Sequence, residues 1–213
     1  MKKIIVFVNT LFIFFFIPFI VFSEKSQQQS IFNFNSSSPS PKVNKFVYYP
    51  QCDGEYDDLP MPNGCYFCEA GCGLATTAMI LSSYVDKKFT PAAVIDLYKQ
   101  KGLYAGCKGS KITDHQEILQ ENGLKTTDLM VYNSNNDAVE DFKSYINSGW
   151  TIFALGRFCS NDCQHFFWIT NIDENNNVWA YDPFYGKQQM PPINENKYQP
   201  FPNYRMAFGV KKM

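Results

Sequence analysis

The stretch CYFCEAGC, residues 65–72, places three cysteines within eight residues. Such a cluster can act as disulfide staples, as a metal site, or as one nucleophile among spectators. The chain carries seven cysteines in all: Cys52, Cys65, Cys68, Cys72, Cys107, Cys159 and Cys163. Seven is odd, so a compartment that pairs thiols leaves at least one over. The spacing does not choose among the connectivities of the rest. Local sequence, however, singles out Cys72. It lies between Gly71 and Gly73 at the start of a helix in which Leu74, Ala75, Ala78, Met79, Ile80 and Leu81 leave only Thr76 and Ser83 as a polar strip. A helix apolar nearly all round is a buried one. The free N–H groups and dipole at its N-terminus stabilise a thiolate, the reactive form of cysteine. The flanking glycines are expected to let a substrate approach the backbone closely. Cys65 and Cys68, in the preceding loop, lack that placement.

A thiolate nucleophile needs a base and a group that orients it. There are two histidines. His115 shares a helical face with Ile118 and Leu119 and reads as a partly buried packing residue. His165 begins a strand that runs into a turn and a return strand ending at Asp182. In an antiparallel hairpin the start of one strand lies beside the end of the next, so Asp182 falls within reach of His165. An Asp accepting one ring N–H aims the other nitrogen at the thiol. Equally, Asp182-Pro183 reads as a plain turn former. For the oxyanion, a side-chain amide can join the nucleophile's own N–H. Gln51, which follows an aromatic run, is the candidate, with Gln164 as rival.

The elements that must hold these residues follow from local signals. KFVYYPQCDGEYDD, residues 45–58, reads as a short aromatic strand passing into a loop, and LPMPNG is turn chemistry. Thr90-Pro91 caps a helix with apolar Val94, Leu97 and Tyr98, stopped by Gly102. Thr113 with Gln116 suggests a capping box for a third helix ending near Gly123. Val139, Phe142, Tyr145 and Ile146 mark a fourth, stopped near Gly149. Then come strands at 151–156, 165–173, from Val178, and RMAFGV near the C-terminus, with Asn175-Asn176-Asn177 as a turn. Helices first and antiparallel strands after make an α+β arrangement.

Residues 1–23 read as a signal peptide: Lys2 and Lys3, an apolar run from Ile4 to Phe22, and small residues Val21 and Ser23 before the cleavage point. Roughly 20 apolar residues can also span a bilayer, so a retained anchor is the alternative. After cleavage no membrane association is expected. Residues 24–45 are Ser-, Gln- and Pro-rich and read as a disordered linker or pro-segment; Asn35-Ser36-Ser37 is a glycosylation sequon. Residues 46–213 form the remaining domain. A formal net charge of −1 gives no footprint for nucleic acid. The expected location is extracellular or an endomembrane lumen, a vacuole- or lysosome-like one included.

YYPQ at 48–51, AGCGLATTAMIL at 70–81 and HFFWITNIDENNNVWAYDP at 165–183 together resemble the papain-like cysteine peptidases related to bacteriocin-processing peptidases. These are the double-glycine-leader peptidases and their free-standing relatives, the thirty-nine-like family. SGWTIFALG at 148–156 is similar to the strand before the family's His. The resemblance implies a papain-like α+β fold with N-terminal helices packed on a C-terminal antiparallel sheet. It implies Cys72 as nucleophile, His165 as general base, Asp182 orienting the His and Gln51 completing the oxyanion hole. The substrate would be a peptide or protein, and no cofactor or metal is implied. Two features depart from the pattern. Leu74-Ala75 stands where the family often has Pro-Thr, and the extra cysteines fit a secreted form stapled by disulfides. Cys159 and Cys163 flank the approach to His165, where a bridge would shape the cleft. With no transporter segment read in these residues, coupling to peptide export is not expected.

Three other readings stay open. A structural zinc module would use Cys65, Cys68, Cys72, Cys159, Cys163 and His165, but thiols pair in oxidising compartments and Cys52 and Cys107 would have no role. A disulfide-stapled binding domain could keep the fold without activity. A transglutaminase-like acyltransferase shares Cys, His and Asp in this order, although the separation of Cys72 from His165 is long for its core.

Overall fold

The buried helix anticipated after Gly71 stands at the centre of the architecture. The computed structural model describes residues 46–158, 163–190 and 202–213. The expected signal peptide, the linker with its sequon and Cys159 lie outside these residues. Helix α1 is a single turn, Phe67–Ala70, and α2 spans Cys72–Tyr84. Every residue of α2 from Gly73 to Ser82 is buried, as its all-round apolar sequence requires. Helix α3, Pro91–Lys101, starts as expected: Thr90 Oγ1 accepts from the N–H of Ala93, and Gly102 ends the helix at φ 64°. Such an N-cap is worth about 1 kcal/mol.

A small hairpin follows, β1 (Ala105–Gly106) with β2 (Gly109–Ser110). Helix α4 spans Ile112–Glu121. It begins two residues earlier than the capping box at Thr113 implied, with Lys111 as N-cap and no side-chain cap. Gln116 instead reaches across to Thr126 Oγ1 and the Thr127 carbonyl. Short strands β3 (Leu124–Thr126) and β4 (Met130–Val131) precede α5, Asn135–Asn147. The chain then builds β5 (Thr151–Arg157), β6 (Gln164–Ile172), β7 (Val178–Asp182), β8 (Gly186–Gln189) and β9 (Asn203–Lys212).

These strands form one antiparallel sheet of order β3-β9-β5-β6-β7-β8, with β4 also paired to β9. The α+β class read from the sequence is the class observed. Helices cover both faces. Phe153, Leu155, Phe166 and Trp168 point into the core shared with α2, α3 and α4, while Ile152, Ala154, Phe167 and Ile169 face the core under α5. Double coverage explains why Thr151 to Gly156 are all buried: a central strand sealed on both sides reads as a continuous apolar run rather than an alternation.

The aromatic run at 46–50 is not a strand. Val47 N–H donates to Ser83 Oγ, the Tyr49 hydroxyl pairs with Ser82 Oγ, and the Phe46 ring packs on Trp168 and Tyr84. Its aromatic residues reflect packing over the C-terminal half of α2 and the sheet, not pairing along a strand edge. Among the described residues, no helix is long and apolar enough to cross a membrane.

Candidate active site

Cys72 is the first residue of α2, with Gly71 serving both as its N-cap and as the C-cap of α1. An amide at that position has no acceptor within its own helix. Among the described cysteines, Cys72 alone is free, and it is half-buried. Cys52 bonds Cys68, Cys65 bonds Cys107, and Cys163 is disulfide-bonded as well. The opening cluster is therefore two staples and one thiol. Cys65 and Cys68 have no thiolate left to offer a zinc ion.

The glycines beside Cys72 do different work from that expected. Both are buried. A Cβ on Gly71 would strike Phe67, and one on Gly73 would strike the His115 ring and Ser110 Oγ. They permit close internal packing of the helix start rather than approach from outside.

The β6–β7 register pairs Trp168 with Tyr181. Continuing outward, Asp182 comes within diagonal reach of His165. His165 Nε2 lies 2.8 Å from Asp182 Oδ1, with the carboxylate fully buried and the imidazole 13% exposed. The same Oδ1 accepts from the N–H groups of Phe184 and Tyr185 at 2.8 and 2.9 Å. One carboxylate oxygen thus bonds both the turn and the histidine. The ring's other nitrogen, Nδ1, is left for the thiol.

Cys72 and His165 are hydrogen-bonded and perturb each other. Burial pushes the Cys72 thiol up, but the hydrogen bond and charge of His165, with backbone bonds from Phe166 and Gly73, outweigh it and bring the thiol below its ordinary value. Burial works against a charged His165 too. Its hydrogen bonds to Asp182 and Cys72, and the charge of each, prevail and push it up to about 10. The two shifts favour a thiolate–imidazolium pair near neutral pH.

Gln51 is buried and pinned from three sides. Its N–H donates to the Pro183 carbonyl at 2.7 Å, its Nε2 donates to the Cys68 carbonyl at 2.7 Å, and the next residue is cross-linked to Cys68. It therefore ties the turn after Asp182 to α1, the helical turn before Cys72. A primary amide has two hydrogens, so the Cys68 carbonyl takes one and leaves one. The rival, Gln164, is exposed at the start of β6.

Two contributors escaped the sequence. Thr76 Oγ1 lies 2.8 Å from the Cys72 carbonyl and 3.3 Å from the Phe166 carbonyl, fastening the helix start to the strand of His165. Its spacing of four from Cys72 on a buried helix was the available signal. The Tyr48 hydroxyl donates to the Asp182 carbonyl at 3.0 Å, for which nothing local gave warning.

No family model matches the chain, and no curated protein matches it. Among solved structures, it is similar to a double glycine motif protease from an AMS/PCAT transporter, crystallised in complex with the leader peptide. The identity is 16%, the match covers 80% of this chain and 94% of that one, and the TM-score is 0.48. At that level of likeness, the functional case rests on the geometry of the site itself.

Proposed function

We propose that this chain is a secreted, papain-like cysteine peptidase that hydrolyses peptide bonds through a thioester. One observation carries the reading: a free thiol at the first turn of a buried helix is hydrogen-bonded to a histidine whose far nitrogen is held by a buried aspartate. The Cys72 thiolate attacks the scissile carbonyl carbon, and the oxyanion is held by the Cys72 N–H and the remaining amide hydrogen of Gln51. The His165 imidazolium gives its proton to the departing amine as the C–N bond breaks. Neutral His165 then takes a proton from water, which attacks the thioester and restores the thiolate. Asp182 keeps the ring oriented throughout. The staples support the secreted part of the reading, since disulfides persist in oxidising compartments.

A peptidyl vinyl sulfone tests the central claim. It should modify Cys72 alone, and its rate should hold well below the ordinary thiol pKa of about 8.5 because the ion pair supplies thiolate there. Failure to label, or labelling that follows an ordinary thiol titration, overturns the peptidase assignment. Gln51 is tested separately. Gln51→Ala should lower kcat by about 10²-fold with vinyl sulfone labelling at the same pH midpoint, because the amide acts on the oxyanion and not on the thiol. An unchanged kcat removes Gln51 from the site.

A further inference from the structure

His115 takes no part in the mechanism above, yet it lies directly behind the nucleophile. It is fully buried in α4. Its ring stacks on Phe153 with centroids 5.1 Å apart and meets Phe166 edge-on, also at 5.1 Å. Nδ1 lies 2.9 Å from Thr77 Oγ1 and 2.8 Å from the Tyr98 hydroxyl, and Nε2 lies 2.7 Å from Ser110 Oγ. Burial holds the imidazole neutral, its pKa lowered to about 3. Thr77 Oγ1 also donates to the Gly73 carbonyl at 2.9 Å. Three hydroxyls, from α2, α3 and β2, are joined through one ring.

The same ring bears on two of the groups that hold the Cys72 sulfur. The backbone of Gly73 and the backbone of Phe166 both hydrogen-bond to that sulfur. Gly73 is packed so tightly on His115 that it has no room for a Cβ, and Phe166 contributes the edge-on ring. We propose that His115 is a positioning residue for the nucleophile: wedged between Gly73 of α2 and Phe166 of β6, it sets the separation between the Cys72 sulfur and the Phe166 backbone. An apolar residue could fill the space, but it could not also anchor α2, α3 and β2 by hydrogen bonds. Bonds to a charged acceptor weaken steeply with distance and angle, so a small slip of α2 against β6 weakens the one that crosses between them, from the Phe166 backbone. This inference rests on the peptidase reading of Cys72 and deepens it.

Iodoacetamide alkylation of Cys72 against pH provides the test, since it needs no substrate. Ser110→Ala removes the hydrogen bond at Nε2, and Thr77→Val removes those to Nδ1 and to the Gly73 carbonyl at nearly constant volume. Each should raise the alkylation midpoint by about half a pH unit or more and lower kcat for a cleaved peptide with KM little changed. Near-UV circular dichroism checks that the variants are folded. Gln116→Ala is the control. It breaks hydrogen bonds of the same helix to Thr126 and Thr127, so it should lower the melting temperature without moving the midpoint. Wild-type midpoints in both folded variants, or a Gln116→Ala shift as large as theirs, would show His115 to be an ordinary core residue. A wild-type midpoint at the ordinary thiol value instead brings down the peptidase reading, and this inference with it.

Discussion

Replacing Cys72 with alanine is expected to abolish hydrolysis, by about 10⁴-fold or more, without unfolding the chain. The effect is large because nothing nearby can stand in for the sulfur. Among the other described cysteines, Cys52 is bonded to Cys68, Cys65 to Cys107, and Cys163 is disulfide-bonded too. The fold should survive because Cys72 closes no bridge, sits half-buried at a helix terminus, and gives way to the residue with the best helix propensity. Cys72→Ser retains the shape but raises the pKa of the nucleophile far beyond what His165 can draw down, so it too should be inert. Product release from a peptide that the wild type cleaves, measured beside a thermal unfolding curve, separates chemistry from folding. Turnover retained by a folded Cys72→Ala protein would remove Cys72 from the mechanism.

Asp182→Asn should lower kcat by about 10²- to 10⁴-fold while KM changes little. The asparagine keeps a carbonyl oxygen for the N–H groups of Phe184 and Tyr185, so the turn after β7 should stay formed. What disappears is the negative charge that stabilises the His165 imidazolium. That loss has a pH signature. His165 is raised from 6.5 to about 10, so its protonated form is favoured in the folded state. The associated stability is whole below about 6.5 and is lost as pH rises through about 10. In Asp182→Asn the upper end of that window should move down, and with it the alkaline limb of the activity profile. Melting temperatures and rates taken at matched pH values test both effects. A folded variant with the wild-type rate would mean that some other group orients His165.

Features governed by neighbours in sequence were readable from it. Thr90-Pro91 and Gly102 bracket α3 because a hydroxyl and a left-handed glycine act within one turn of their own backbone. The runs at 151–156 and 165–173 announced β5 and β6. Cys72, His165 and Asp182 could be nominated together because a hairpin brings a strand's start beside its partner's end. What stayed hidden depended on distant partners. Residues 46–50 carry a strand-like composition, but they bond Ser82, Ser83 and the Asp182 carbonyl instead of a strand edge. Gln116 looked like a capping residue and instead bonds the loop before β4. Parity showed that a thiol was left over, while the pairing of Cys65 with Cys107 depends on a hairpin that no local signal announced. His115 read as a partly buried packing residue, but it is fully buried, and its contact with Gly73 exists only once α4 lies across α2.

The bridge between Cys52 and Cys68 sets a condition on the proposed chemistry. It closes a loop that begins at the residue after Gln51, and the Cys68 carbonyl is the very group that receives the Gln51 amide. The reaction therefore asks for opposite oxidation states within a few residues: a reduced sulfur at Cys72 and a joined pair beside the oxyanion donor. Strong dithiol reductants, which commonly wake thiol peptidases, would open the clamp as they protect the nucleophile. A mildly oxidising glutathione mixture would satisfy both, and activity plotted against its potential would rise and then fall.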